Sequence, residues 1–174
     1  MSTTVYTVVV LLVALERLVE LVVSKRNTSW SFAQGGKEYG FSHYPFMVVL
    51  HTALLGGCLA EAQHRADPSA ALAWSMVGVV VLTQALRWWC ITTLGRQWNT
   101  RVIVVPGLVP VTGGPYRWFT HPNYVAVVVE GVALPLAHAC WLTAVVFTVL
   151  NAVLLTVRIR VENAALATLE PSRA

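Results

Sequence analysis

Charged residues are scarce in this chain, and their scarcity excludes an ordinary soluble protein. Only 11% of the 174 residues are charged, whereas soluble domains carry about 25%. Hydrophobic residues make up 56% of the chain, and the mean hydropathy is +0.64. A bilayer core about 30 Å thick takes roughly 20 apolar residues per helical crossing, so most of this length is needed for crossings. The composition predicts one all-α integral membrane domain over residues 1–174.

Other features are missing as well. Cys58, Cys90 and Cys140 are odd in number and well separated, so neither a disulfide framework nor a metal-binding pair is predicted, and they are expected to pack in the interior. The net charge is +4, but the basic residues lie in short loops and form no cluster or stripe, so nucleic acid is not a predicted partner. The first apolar run lacks a preceding basic segment and a cleavage site, which predicts a retained helix.

Five membrane helices fit the apolar pattern. Three are expected in residues 1–91, followed by a cytoplasmic site loop in residues 92–122 and a C-terminal helical hairpin with a tail in residues 123–174. Pro135 and His138 interrupt the last apolar stretch and predict the hairpin turn within residues 134–140. The predicted helices span residues 3–23, 44–62, 69–91, 124–137 and 139–160.

The basic residues of the loops predict the orientation. Loops 24–43 and 92–122 each carry three lysines or arginines, whereas loop 61–68 has only Arg65 beside two acidic residues. The positive-inside rule therefore places the first two loops and the C-terminus in the cytoplasm and the N-terminus outside.

Charges within the apolar runs mark candidate sites. Glu16, Arg17 and Glu20 share one side of the first helix, and Glu130 lies alone in an apolar stretch of the fourth. Such charges face either a polar cavity or an ionic partner, and both alternatives remain open here. His51 in the second helix is more typical of a structural hydrogen-bonding residue than of a catalyst.

The densest polar pattern lies around the fourth and fifth helices. Turn residues and aromatic residues fill loop 92–122, either to line a site or to anchor the helices at the interface. Asn151, Arg158 and Glu162 recur at helical spacing in the fifth helix. If the two helices are antiparallel, Tyr124 lies near Arg158 and Glu162. One cytoplasmic cavity would then receive a charged cofactor from water and an apolar substrate from lipid.

These motifs resemble the signature of the isoprenylcysteine carboxyl methyltransferase family. In order, they are Gly114-Pro115-Tyr116-Arg117, His121-Pro122-Asn123-Tyr124, Glu130 and Arg158-Ile159-Arg160-Val161-Glu162. Further motifs resemble the bacterial branch that includes alkylpyrone O-methyltransferases, and they extend the similarity to nearly the whole chain. They are Lys25-Arg26-Asn27, the segments 35–40 and 43–45, His51 and the segment 94–101.

The resemblance implies S-adenosylmethionine as methyl donor, with S-adenosylhomocysteine as product, in a pocket of the last helices without a Rossmann domain. It implies a lipophilic acceptor, an alkylpyrone or alkylresorcinol-like lipid or an isoprenylcysteine-type carboxylate, in a bacterial plasma membrane. The implied cofactor residues are Tyr116, His121, Pro122, Tyr124, Glu130, Arg158 and Glu162, and Arg158, Glu130 and Glu162 are the catalytic candidates. The substrate candidates are Trp98, Arg101, His51, Glu16 and Glu20. The family often has a second acidic residue after the position of Glu162, where this chain has Asn163.

Two other functions remain open at this level. An NADPH-dependent membrane reductase of a lipid or steroid-like substrate shares a related helical arrangement, and a non-enzymatic membrane assembly subunit would bind neither cofactor. Within the methyltransferase prediction, Arg158 pairs with either the donor carboxylate or the acceptor oxygen. A phenolic acceptor would need a general base, for which Glu130 and Glu162 are candidates.

Overall fold

Five α-helices and one small β-ribbon form the part of the chain that the structure describes. The computed structural model describes residues 1–169, so the end of the predicted tail lies outside the described residues. The helices are α1 (Thr3–Ala33), α2 (Tyr44–Ala62), α3 (Ala70–Leu94), α4 (Pro122–Leu136) and α5 (Trp141–Ala167), and the strands are β1 (Lys37–Tyr39) and β2 (Val102–Val104). Short 3₁₀ turns occupy Phe41–His43, Gly95–Gln97 and Gly114–Arg117.

Three segments of the described chain are long and apolar enough to cross a membrane. They are Phe41–Ala62, Ala70–Gln97 and Trp141–Ala167. Their outward faces are apolar, since Leu82 is 69% exposed and Leu142 is 65% exposed. Exposed apolar surface of this extent on apolar helices is a lipid-facing surface, and the protein is therefore an integral membrane protein. The α4 helix has only 15 residues, and charges interrupt α1.

The α1 helix runs ten residues past its predicted end at residue 23, so the prediction of a loop beginning at residue 24 is wrong. Its polar extension is bound by other parts of the chain. Ser24 Oγ lies 2.8 Å from Thr100 Oγ1, and Asn27 Nδ2 donates to the carbonyl oxygens of Gly95 at 3.1 Å and Trp98 at 2.7 Å. These bonds satisfy polar side chains that the hydropathy pattern assigned to solvent. The α5 helix likewise continues to Ala167, beyond the predicted end at residue 160.

The ribbon was not predicted, and the all-α assignment needs this correction. Strands β1 and β2 pair antiparallel, with Lys37 opposite Val104 and Tyr39 opposite Val102. Three residues per strand are too few to show the alternation by which strands are recognised. The pairing joins the two loops that the positive-inside rule assigns to one side of the membrane, so these two loops do lie together.

Side chains from all five helices form the interior away from the ribbon. The buried cluster includes Tyr6, Leu54, Val80, Leu134 and Phe147. The α4 and α5 helices are joined by residues 137–140 and approach closely at Gly131, where a Cβ would clash with the Phe147 ring. All three cysteines are free and buried, which confirms the prediction that they pack in the interior.

Candidate active site

A cavity of about 360 Å³ lies where the first turn of α4 and the last turns of α5 meet β2 and the linker before α4. Its volume is within the range of about 300–1,000 Å³ that is usual for small-molecule sites. Seven of the predicted site residues line it, namely Trp98, Arg101, Tyr116, His121, Tyr124, Arg158 and Glu162. The structure therefore brings together predicted residues from the linker and from both helices.

Arg158, Tyr124 and Glu162 form one bonded group on a wall of this cavity. Arg158 is 8% exposed, and its Nε donates to the Tyr124 hydroxyl at 2.7 Å. The same hydroxyl donates to a Glu162 carboxylate oxygen. Arg158 and Glu162 are four residues apart and so share a face of α5, while Tyr124 faces them from α4. One phenol thus fixes a cation and an anion.

The two terminal amino groups of Arg158 are available for a ligand. Within residues 1–169 the Arg158 side chain makes one hydrogen bond, through Nε. Its guanidinium carbon lies 5.5 Å from the centroid of the Tyr124 ring. A guanidinium has five donors and matches carboxylates in a bidentate fashion. A buried arginine with free donors facing a cavity is suited to an anionic group.

His121 lies beside this group at the entry into α4. Its ring stacks on Tyr124 with centroids 5.3 Å apart and an interplanar angle of 23°. Nε2 is 3.0 Å from Asn163 Oδ1, and Nδ1 is 3.7 Å from Glu162 Oε1. Asn163, which stands where the family often has an acid, thus holds the His121 ring in place. Pro122 opens the helix, is fully buried and does not line the cavity.

Two further residues define the polar character of the cavity. Burial raises the pKa of Tyr116 above its usual range, so this phenol remains a neutral donor at physiological pH. The Oδ1 atom of Asn123 is buried without a hydrogen-bond partner among the described residues, and Asn123 lines the cavity. Unsatisfied buried acceptors are rare, and this one is available to a ligand donor. Asn123 belongs to the predicted motif but is not among the predicted cofactor or substrate residues.

Glu130 lies apart from the cavity. Its Oε2 accepts a hydrogen bond from Arg17 Nη2 at 2.6 Å, and Arg17 also donates to Glu20 at 2.6 Å and to Gln84 at 2.8 Å. Glu20 in turn accepts two hydrogen bonds from Arg87. This ionic network joins α1, α3 and α4, and Glu130 and Glu20 are both bound within it. Contacts of Glu130 with the methyl donor and of Glu20 with the methyl acceptor stay predictions.

The remaining predicted substrate residues also lie outside the cavity lining. His51 Nδ1 is 2.8 Å from the Met47 carbonyl oxygen, and its ring meets the Phe147 ring edge-on at 5.4 Å. Glu16 has two buried carboxylate oxygens without a hydrogen-bond partner among the described residues and lies 3.6 Å from Arg17 Nη2. By contrast, Arg101 lines the cavity. Its Nη1 lies 3.3 Å from Glu38 Oε2, and its guanidinium lies over the Tyr44 ring.

Residues 76–168 match the sequence model of the isoprenylcysteine carboxyl methyltransferase family. The chain belongs to this family. The matched segment contains α4, α5 and most of the cavity wall described above. Members of the family are membrane methyltransferases that use S-adenosylmethionine, and the chain is accordingly a membrane methyltransferase.

Relatives extend the similarity beyond the matched segment. This family member is 36% identical to the uncharacterized protein YpbQ of Bacillus subtilis strain 168 over 151 residues, which cover 87% of this chain and 90% of the relative. It is 22% identical to an uncharacterized protein of Haemophilus influenzae over 156 residues, which cover 89% of this chain and 91% of that relative. No solved structure gives a significant match to the chain.

Proposed function

We propose that the chain transfers a methyl group from S-adenosylmethionine to an oxygen of a lipophilic acceptor, at the cavity between α4 and α5. The observation that carries the proposal is the bonded group of Arg158, Tyr124 and Glu162, which lies on the cavity wall inside the family-matched segment. Family membership favours methyl transfer over the NADPH-dependent reductase and over the non-enzymatic subunit.

The residues present fit the methyl donor. Its carboxylate, ammonium and adenine amine need a cation, an anion and a neutral acceptor. The cavity offers the free donors of Arg158, the carboxylate of Glu162 and the unpartnered Oδ1 of Asn123. When bound there, the donor would supply an electrophilic methyl group on a sulfonium.

Catalysis by these residues is mainly a matter of position. Methyl transfer needs the acceptor oxygen close to the methyl carbon and in line with the breaking carbon–sulfur bond. Tyr124 holds the Arg158 guanidinium, and Arg158 pairs with an anionic group, either the donor carboxylate or the acceptor oxygen. An enolic or carboxylic acceptor arrives largely ionised, whereas a phenolic one must lose a proton. Among residues 1–169, Glu162 is the carboxylate that lines the cavity and can take this proton.

The proposal includes a topology and an acceptor class. All five helices cross the membrane, α4 and α5 as a hairpin, with the N-terminus outside and the cavity on the cytoplasmic side of a bacterial plasma membrane. The pairing of β1 with β2 supports a location of both connecting segments on the same side of the membrane. The acceptor is an alkylpyrone or alkylresorcinol-like lipid or an isoprenylcysteine-type carboxylate, and mass spectrometry of lipid extracts with isotopically labelled donor would identify it.

The substitution Arg158→Gln tests the proposal. Losing hydrogen bonds to a charged group costs about 1.5–3 kcal/mol, roughly a 10- to 150-fold loss in affinity. Titration calorimetry in detergent would compare S-adenosylhomocysteine with 5′-methylthioadenosine, which lacks the amino-acid part. Arg160→Gln is the matched control, because Arg160 is exposed two residues along α5.

Each result of that titration has a defined meaning. A loss for S-adenosylhomocysteine alone assigns Arg158 to the donor carboxylate. Unchanged binding with lost transfer of the labelled methyl group assigns it to the acceptor oxygen. If Arg158→Gln binds and transfers like the wild-type protein, the proposed site is wrong.

A further inference from the structure

The linker segment 105–120 has two different faces. One face lines the cavity, through Leu108, Val111 and Tyr116 among others. The other presents apolar side chains outward, since Val109 is 80% exposed, Trp118 is 61% exposed and Phe119 is 54% exposed. Leaving these side chains in water would be unfavourable, because apolar area in water costs about 25 cal/mol per Å².

The exposed Trp118 side chain continues the lipid-facing surface of α3. The Trp118 ring meets the Trp89 ring edge-on at 5.7 Å, and Trp89 is 45% exposed near the end of a segment able to cross the membrane. The backbone is fixed at this place, because Gly114 has φ 53° and a Cβ there would lie 2.5 Å from Thr93 Oγ1. The linker is therefore packed on the last turn of α3, and Val109, Trp118, Phe119 and Trp89 are named the interfacial patch.

The charge shown beside Trp118 is positive. Residues 92–122 contain three arginines, of which Arg101 is paired with Glu38, Arg96 lies over the Trp30 ring and Arg117 lies beside Trp118. The Arg117 guanidinium carbon lies 5.1 Å from the centroid of the Trp118 ring. Tryptophan is enriched at the headgroup level of membranes, and arginines near that level attract anionic lipids.

We infer that the interfacial patch lies in the headgroup region of the bilayer and that anionic lipid holds segment 105–120 closed over the cavity. The continuity of Trp118 with α3 and the positive charge of Arg117 beside it favour the bilayer over a protein partner as the occupant of the patch. The effect on donor affinity rests on the proposed function, whereas the contact with lipid does not. Binding of the methyl donor is then sensitive to the composition of the surrounding membrane.

The lipid contact is tested first. The three native cysteines are buried, so a bimane label on Val109→Cys reports one position in vesicles that contain brominated phosphatidylglycerol. His64→Cys, an exposed position in another loop, is the control. Stronger quenching by bromine at position 109 than at position 64 is expected. Equal quenching by bromine at positions 109 and 64 overturns the inference. Shielding of the label at position 109 by a second copy of the chain overturns it as well.

The effect on the cavity is tested separately in nanodiscs. Since a basic residue near an anionic surface contributes about 1 kcal/mol, S-adenosylhomocysteine should bind up to about fivefold more tightly in phosphatidylglycerol than in phosphatidylcholine. The double variant Arg117→Gln with Trp118→Ser should lose this difference. Trp74→Ser is the control, because Trp74 is 57% exposed on the first turns of α3. If the double variant keeps the dependence of S-adenosylhomocysteine affinity on lipid, the inference that anionic lipid closes the linker over the cavity is wrong. If no nanodisc shows ligand binding while the label at position 109 is quenched, the proposed function fails and the lipid contact stands.

Discussion

The substitution Glu130→Gln separates a structural role of this carboxylate from a role in donor binding. Glu130 has 8% of its side chain exposed and is paired with Arg17, whose side chain is 18% exposed, at 2.6 Å. The variant keeps the volume and one acceptor oxygen but removes the charge. If the carboxylate serves the network, the substitution lowers stability and leaves donor affinity almost unchanged.

The expected magnitude follows from the contacts of Arg17. A hydrogen bond to a charged group contributes about 1.5–3 kcal/mol, and a charge-assisted bond is roughly twice as strong as a neutral one, so Glu130→Gln should cost about 1 kcal/mol. Glu130→Ala removes the whole bond. Its cost should stay near 2 kcal/mol, below the 3–5 kcal/mol typical of a broken buried pair. The reason is that Arg17 keeps Glu20 at 2.6 Å and Gln84 at 2.8 Å.

Reversible unfolding of the purified protein, in a double-mutant cycle with Arg17→Gln, would measure this coupling. The cycle should give about 1–2 kcal/mol, within the range for groups in one network. Val129→Ala, one residue away and exposed, controls for a change in α4 itself. Affinity for S-adenosylhomocysteine should change by less than about threefold. A loss of more than about tenfold at unchanged unfolding free energy would show that Glu130 binds the donor and that the structural assignment is mistaken.

Two further substitutions test the hydrogen bonds of the cavity wall. Tyr124→Phe keeps the ring but leaves Arg158 Nε without its partner, so the free energy of unfolding, measured by thermal unfolding, should fall by about 1–3 kcal/mol. The Glu162 side chain is 28% exposed and can be rehydrated, so it adds little to this loss. An unchanged unfolding transition would contradict the contact between Tyr124 and Arg158. Asn163→Leu removes the partner of His121 Nε2 and should weaken binding of S-adenosylhomocysteine by about fivefold, one ordinary hydrogen bond, whereas Asn163→Asp keeps the acceptor and should keep most of the affinity. Equal affinities of the leucine and aspartate variants in calorimetry would refute the positioning role.

The helices with uniform apolar runs were readable from the sequence. The predicted range 44–62 agrees with α2 at both ends, and the face shared by Arg158 and Glu162 follows from helical periodicity. The proximity of Tyr124 to these two residues required only that α4 and α5 be antiparallel. Local periodicity and one assumption about topology were therefore enough for the core of the candidate site.

The rest depended on which helices are neighbours. The partner of Glu130 is Arg17, 113 residues earlier in the chain, and an isolated carboxylate in an apolar run does not specify which of several cations it meets. The sequence predicts a loop from residue 24, because the apolar run ends at Val23. Asn27 instead bonds backbone carbonyl groups, which no side-chain pattern marks. Long-range contacts to backbone and to other helices leave no local signal in one sequence.

The ribbon between β1 and β2 has a consequence for how the protein is divided. Strand β2 contributes Val102 and Val104 to the cavity wall, while its pairing partner β1 precedes α2 and lies outside residues 76–168. The half of the chain that carries the family signature thus has a binding wall braced by the other half. A fragment cut to residues 76–168 would lack that brace, so its cavity wall is expected to be less stable than the wall of the whole chain.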